Sequence, residues 1–132
     1  MYPCKLLIID DDKEDLELLS DALLECGSRS FHCVKSAQEA ISFLEECPTE
    51  EALPSLIVTD LYLPAITGIQ LIMTLKQTDR YSNIPVFVLS TLKFEQVKDF
   101  HHNFAATGYI KKPTSYKDYL KVAAFLRHKC AA

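Results

Sequence analysis

The sequence lacks the features that mark several large classes of protein. It has no tryptophan and only three glycines in 132 residues. No apolar stretch approaches the ~18 residues that a membrane-spanning helix needs. The first residues run almost directly into an apolar, strand-like segment, which leaves no room for a signal peptide. We therefore expect a cytoplasmic protein that does not bind or cross a membrane.

Cysteine spacing and net charge exclude further classes. The five cysteines form no C-x-x-C pair and are odd in number, which disfavours both a disulfide framework and a zinc cluster. We expect all of them to be reduced thiols. The formal net charge of −4 gives no general reason to expect binding to nucleic acid or to an anionic surface. The chain has the length of one ordinary domain, so we expect a single domain over residues 1–132.

Short apolar runs alternate with longer amphipathic segments along the chain. Runs typical of buried strands lie at Leu6–Ile9, Phe31–Val34, Leu56–Thr59, Val86–Leu89 and Tyr109–Ile110. A segment with helical spacing of apolar residues follows each run, and the weakest is the fourth, with Val97, Phe100 and Phe104 on its inner face. Five such units predict a doubly wound α/β domain, a five-stranded parallel sheet with helices on both faces.

Polar residues cluster where the predicted strands end. They are Asp10 and Asp11 after the first strand, Asp60 after the third, Ser90 at the fourth and Lys112 after the fifth. Ligands of doubly wound sheets bind beyond the carboxyl ends of the strands. Clustered carboxylates repel each other unless a cation neutralises them, and Mg²⁺ prefers oxygen ligands of this kind. Because a lysine and a hydroxyl are suited to a phosphoryl group, the pattern indicates Mg²⁺-dependent phosphoryl chemistry.

Each of these residues has an ordinary structural explanation when it is taken alone. Acidic residues after strands are often helix N-caps or solvated loop groups, and we interpret Asp12 and Asp15 in this way. A serine after a strand is usually a turn former, and a lysine before a proline is usually solvated. The joint placement of such residues at successive strand ends favours a functional site.

Four segments resemble the receiver domain of two-component response regulators. They are Leu7–Asp12, Thr59–Pro64 with the following Gly68, Pro85–Thr91 and Gly108–Pro113. The match runs through almost the whole chain. In detail it is closest to stand-alone, chemotaxis-regulator-like members that pair with bacterial phytochrome-type kinases. The resemblance implies the flavodoxin-like receiver fold with strand order 2-1-3-4-5.

The resemblance also implies how a phosphoryl group and a metal ion would be bound. Asp60 would be the phosphorylation site, taking a phosphoryl group from a phosphohistidine. Mg²⁺ would be ligated by Asp11, Asp60 and the backbone carbonyl of Tyr62. Asp10 would act on the metal largely through bound water.

Three further residues are assigned roles by the resemblance. Lys112 would pair with one phosphoryl oxygen, and Ser90 would donate its hydroxyl to another. Movement of Ser90 toward the phosphoryl group would let Tyr109 turn inward as part of a switch. A cis peptide at Lys112–Pro113 would aim the ammonium into the site. The remodelled face would comprise the fourth helix, the fifth strand and the fifth helix, where a homodimer would also form.

Three functions are compatible with the sequence. The first is a phosphoacceptor module, not an enzyme and without an output domain, whose partners are a sensor histidine kinase or histidine phosphotransfer protein and an unknown downstream protein. The second is a small Mg²⁺-dependent phosphohydrolase with Asp60 as nucleophile, disfavoured because Tyr62 stands where a second aspartate would act. The third is a nucleotide- or flavin-binding domain, disfavoured because Asp11–Lys13 replaces a glycine-rich phosphate loop.

Overall fold

The sheet predicted from the sequence is present. A computed structural model describes residues 5–92 and 106–131, and the predicted fourth helix lies outside the described residues. The strands are β1 Leu6–Ile9, β2 Phe31–Val34, β3 Leu56–Thr59, β4 Val86–Ser90 and β5 Gly108–Lys111. They form one sheet in the order β2-β1-β3-β4-β5, and every neighbouring pair is parallel. The predicted fold and strand order are therefore confirmed.

The described helices begin where the sequence offers caps. They are α1 Lys13–Glu25, α2 Ala37–Glu46, α3 Gly68–Gln77 and a C-terminal helix Tyr116–Ala131, with a short 3₁₀ turn at Glu50–Ala52. The side chain of Asp12 accepts a hydrogen bond from the backbone of Asp15 at 3.1 Å, which confirms Asp12 as the N-cap of α1. Thr67 and Gln70 form a reciprocal capping box at α3.

The two faces of the sheet are covered by different helices. Because successive strand residues point to opposite sides, Leu7 and Ile9 of β1 pack in one cluster while Leu6 and Ile8 pack in another. The first cluster includes residues of α2 and α3, and the second includes residues of α1 and the C-terminal helix. Burying a leucine or isoleucine contributes roughly 1.5–3 kcal/mol, so both layers stabilise the sheet. Among the described helices, none is long and apolar enough to cross a bilayer.

One expectation about the cysteines is wrong. Cys26, Cys33 and Cys47 are free thiols, but Cys130 is disulfide-bonded. Folding brings the end of the C-terminal helix beside the start of β1, where the Cys130 Sγ lies 3.8 Å from the carbonyl oxygen of Lys5. Those two residues are 125 positions apart in the chain, so sequence spacing carried no information on what lies near Cys130.

Candidate functional site

Two buried carboxylates lie side by side at the carboxyl edge of the sheet. The register pairs Ile9 of β1 with Thr59 of β3, so the residues that follow, Asp10 and Asp60, are neighbours. The backbone N–H of Asp60 donates to the carbonyl of Ile9 at 3.0 Å. Asp10 is 4% exposed and Asp60 8% exposed. Asp11 is exposed beside them, and one carboxylate oxygen from each of the three aspartates lies within 4.8 Å of the others.

This carboxylate cluster has the chemistry of a site for a hard divalent cation. Three anionic oxygen donors on two adjacent strand ends fit the preference of Mg²⁺ for carboxylate ligands. Burial raises the pKa of Asp10, and the neighbouring charge of Asp60 acts in the same direction, whereas hydrogen bonds from Lys112 and the backbone of Asp12 oppose the rise. A bound cation would relieve that repulsion. Tyr62 follows closely, with its backbone N–H 3.4 Å from Asp60 Oδ1 and its side chain largely exposed.

Among the described residues, the polar partners of the Lys112 ammonium are all carboxylates. Its Nζ lies 2.7 Å from Asp10 Oδ2, 2.8 Å from Asp15 Oδ2 and 3.0 Å from Asp60 Oδ2. Its side chain is only 6% exposed. Burial by itself would lower the pKa of Lys112, but the hydrogen bonds to the three carboxylates outweigh burial and raise it. Lys112 is therefore a permanent buried cation beside Asp60.

The interpretation of Asp15 as a cap or a solvated loop group is wrong. Besides contacting Lys112, its carboxylate accepts a hydrogen bond at 3.3 Å from the hydroxyl of Tyr119 on the C-terminal helix. Helical spacing could have indicated this, because Asp15 precedes the buried Leu19 by four residues and shares its face of α1. Tyr119 is itself buried, at 2% exposed. Its hydroxyl reaches the site because the C-terminal helix packs on α1.

Ser90 and Tyr109 are connected at the end of β4. Ser90 is fully buried, and its hydroxyl oxygen accepts a hydrogen bond from the backbone of Leu92 at 3.3 Å. The half-buried Tyr109 donates its hydroxyl to the carbonyl of Ser90 at 3.3 Å. Burial raises the pKa of Tyr109, which keeps the phenol protonated as a donor. The two predicted switch residues are thus brought together through the backbone of β4.

The expectation of a cis peptide at Lys112–Pro113 is wrong. The described residues contain no cis peptide bond. A trans bond before proline is favoured by roughly 0.5–1 kcal/mol in the absence of other constraints. The backbone N–H of Lys112 donates to the carbonyl of Ser90 at 2.7 Å. With the backbone held there, the long side chain reaches the carboxylates from the trans form.

Gly68 allows α3 to approach the segment that carries Asp60. Its backbone N–H donates to the carbonyl of Leu61 at 3.0 Å. A Cβ at this position would overlap the carbonyl oxygen of Asp60 and would lie 2.9 Å from the Cα of Leu61. Both neighbours are backbone atoms, which cannot move aside as a flexible side chain can. The start of α3 therefore packs directly against the loop after β3.

The fold and the site agree with a family assignment that covers most of the chain. The family model for the response regulator receiver domain matches residues 6–124. This chain therefore belongs to the receiver domain family of response regulators, the signalling modules of two-component systems. The resemblance inferred from the four sequence segments is confirmed. Membership disfavours the phosphohydrolase, and the nucleotide-binding alternative gains no support from the match.

The chain is similar to two response regulators of a plant. It is 31% identical over 119 residues to the two-component response regulator ORR1 of Oryza sativa subsp. japonica, covering 86% of this chain but 51% of that protein. With ORR13 of the same plant it is 27% identical over 121 residues, covering 92% of this chain and 96% of that one. The chain thus spans only about half of some curated relatives and nearly all of others.

A solved structure of a response regulator has a similar fold. The phosphorylated cyanobacterial phytochrome response regulator RcpA superposes with a TM-score of 0.84 at 25% identity, covering 98% of this chain and 95% of that chain. The structural neighbours thus include a phytochrome response regulator.

Proposed function

We propose that this receiver domain accepts a phosphoryl group on Asp60, from a phosphohistidine of a sensor histidine kinase or histidine phosphotransfer protein, in a Mg²⁺-dependent reaction. The observation that carries the proposal is the position of the Asp60 carboxylate. It is buried at the carboxyl edge of the sheet, with the Lys112 ammonium 3.0 Å away and two further aspartates beside it. The carboxylate that would act as the nucleophile therefore has a cation and two possible metal ligands beside it.

The reaction follows from these groups. A carboxylate oxygen of Asp60 attacks phosphorus in line, and the P–N bond breaks with its electron pair passing to the imidazole nitrogen of the donor. Asp10, Asp11 and Asp60, with the backbone carbonyl of Tyr62, would hold Mg²⁺, which when bound neutralises charge on the phosphoryl oxygens. Lys112 is within reach to pair with one phosphoryl oxygen, and its raised pKa keeps it charged for that task. The product is an aspartyl phosphate.

Phosphorylation of Asp60 would alter the conformation of the neighbouring strands β4 and β5. The added phosphoryl group brings roughly −1.5 to −2 charge beside β4, and Ser90 would donate its hydroxyl to it. Tyr109 is attached to the carbonyl of Ser90 at 3.3 Å, so movement of Ser90 would reach β5. The face around β5 and the C-terminal helix would then bind a downstream protein. A homodimer on this face, the single-domain organisation and the cytoplasmic location stay predictions.

A phosphorylation assay tests the proposal. Wild-type protein is incubated with acetyl phosphate, with Mg²⁺ or with EDTA, and the mass of the intact protein is followed with time. We expect one added phosphoryl group with Mg²⁺ and none with EDTA. Asp60→Asn should lose the modification, whereas Asp21→Asn, which removes an exposed aspartate of α1, should retain it. Modification that persists in Asp60→Asn would contradict the proposal.

A further inference from the structure

Asp15 contacts the site but has no part in the phosphoacceptor chemistry proposed above. Its carboxylate Oδ2 lies 2.8 Å from Lys112 Nζ, and its side chain is 28% exposed, against 6% for Lys112. It belongs to the first turn of α1, whereas the three clustered aspartates lie at the ends of β1 and β3. Asp15 therefore approaches the ammonium from a different element than the other two carboxylates that contact it.

Both oxygens of the Asp15 carboxylate are engaged. Oδ2 contacts Lys112, and Oδ1 accepts a hydrogen bond at 3.3 Å from Tyr119. Tyr119 is 2% exposed, and burial together with the charge of Asp15 raises its pKa to about 12. The phenol therefore remains a donor at any physiological pH. A continuous hydrogen-bonded chain runs from the C-terminal helix through α1 to the ammonium beside Asp60.

The partners of Lys112 change during the proposed reaction. When Asp60 is phosphorylated, one of its carboxylate oxygens becomes bonded to phosphorus in a mixed anhydride. The negative charge of the carboxylate that lies 3.0 Å from Lys112 Nζ is then lost. Asp10 belongs to the cluster that would serve Mg²⁺. Asp15 is neither the residue that accepts the phosphoryl group nor a member of the carboxylate cluster. It can keep the ammonium within reach of the phosphoryl oxygens throughout the transfer.

We propose that Asp15 is a positioning residue for phosphoryl transfer, holding Lys112 beside the phosphoacceptor while Tyr119 holds Asp15. This inference rests on the proposed function of Asp60. An ion pair that only stabilises the fold would have the same geometry. The test must therefore measure whether the effect of replacing Asp15 on the phosphorylation rate depends on Lys112. A role that acts through Lys112 disappears when the ammonium is absent, and an independent structural effect does not.

The first measurement is the rate of phosphorylation by acetyl phosphate at saturating Mg²⁺. Asp15→Asn loses one charge-assisted hydrogen bond, and its rate of phosphorylation should be about tenfold lower than that of wild type. The rate for Tyr119→Phe should be about threefold lower. The matched control is Glu14→Gln, which removes the same charge from an exposed neighbour in the same helical turn and should change the rate less than about twofold. Asp15→Glu, which restores the carboxylate, should recover part of the lost rate.

The second measurement is a double-mutant cycle with Lys112→Met. In that background Asp15→Asn should change the rate less than about twofold, and thermal melting establishes that each variant is folded. Equal rates for Asp15→Asn and Glu14→Gln would overturn the inference. So would a full tenfold effect that persists without Lys112, or slow transfer that Asp15→Glu does not improve. If wild type itself takes no phosphoryl group, the proposed function fails first, which is a different result from a phosphorylated wild type that is indifferent to Asp15.

Discussion

Replacing Lys112 by methionine should expose how much the ammonium contributes to folding. The substitution keeps the approximate length of the side chain but removes a cation that lies 2.7–3.0 Å from three carboxylates. Removing one partner of a buried ion pair typically costs ~3–5 kcal/mol. Part of that cost is avoided if a carboxyl takes up a proton, and burial already raises the pKa of Asp10. We therefore expect a loss of about 3 kcal/mol, a large fraction of the ~5–15 kcal/mol stability of a small domain.

Urea denaturation at about pH 8 measures this loss. In EDTA the Lys112→Met protein should be about 3 kcal/mol less stable than wild type. Mg²⁺ should restore more stability to the variant than to wild type, since a ligand at 100 times its Kd stabilises by ~2.7 kcal/mol. Lys121→Met is the control, because Lys121 lies 3.6 Å from Asp118 with 72% of its side chain exposed. Its loss should stay below ~1 kcal/mol.

Two results would refute this reasoning. A loss below about 1 kcal/mol in EDTA, similar to that of an exposed pair, would mean that Lys112 does not offset carboxylate repulsion. A large loss that Mg²⁺ leaves unchanged would mean that the three clustered aspartates do not bind the cation.

Two further predictions concern packing and pH. Gly68→Ala should destabilise the protein by about 2–3 kcal/mol in urea denaturation, because its Cβ meets the backbone of Asp60 and Leu61; a loss below ~0.5 kcal/mol would contradict the close approach of α3. The pKa of Tyr119 is raised to about 12, so the unfolded chain loses this proton first and stability falls as pH rises above ~10. At pH 11 the loss should reach about 1.4 kcal/mol relative to pH 9; Tyr119→Phe should lack that component, and an identical decline in both proteins would refute it.

The strands and the clustering of their terminal residues could be predicted because both follow from local patterns. Continuous apolar runs indicate strands buried on both faces, and the carboxyl ends of parallel strands meet at one edge. This logic places Asp10, Asp60 and Lys112 together, and the structure has Lys112 Nζ within 3.0 Å of both carboxylates. No side-chain contact had to be known in advance.

Features that depend on packing between distant elements could not be predicted in the same way. The hydroxyl of Tyr119 meets Asp15 only because two helices pack together, at a separation of 104 residues in the chain. The disulfide at Cys130 likewise depends on a spatial neighbour and not on spacing. The Lys112–Pro113 peptide is trans. The intrinsic preference for trans before proline is only ~0.5–1 kcal/mol, so tertiary structure can favour either form and the sequence does not decide between them.

Identifying the modified residue tests the central claim most directly. The protein is phosphorylated with acetyl phosphate and Mg²⁺ and then reduced with borohydride, which converts an aspartyl phosphate to homoserine, and peptides are sequenced by mass spectrometry. We predict homoserine at position 60, absent from samples prepared in EDTA. Homoserine at another aspartate, or its formation at position 60 without Mg²⁺, would contradict the account.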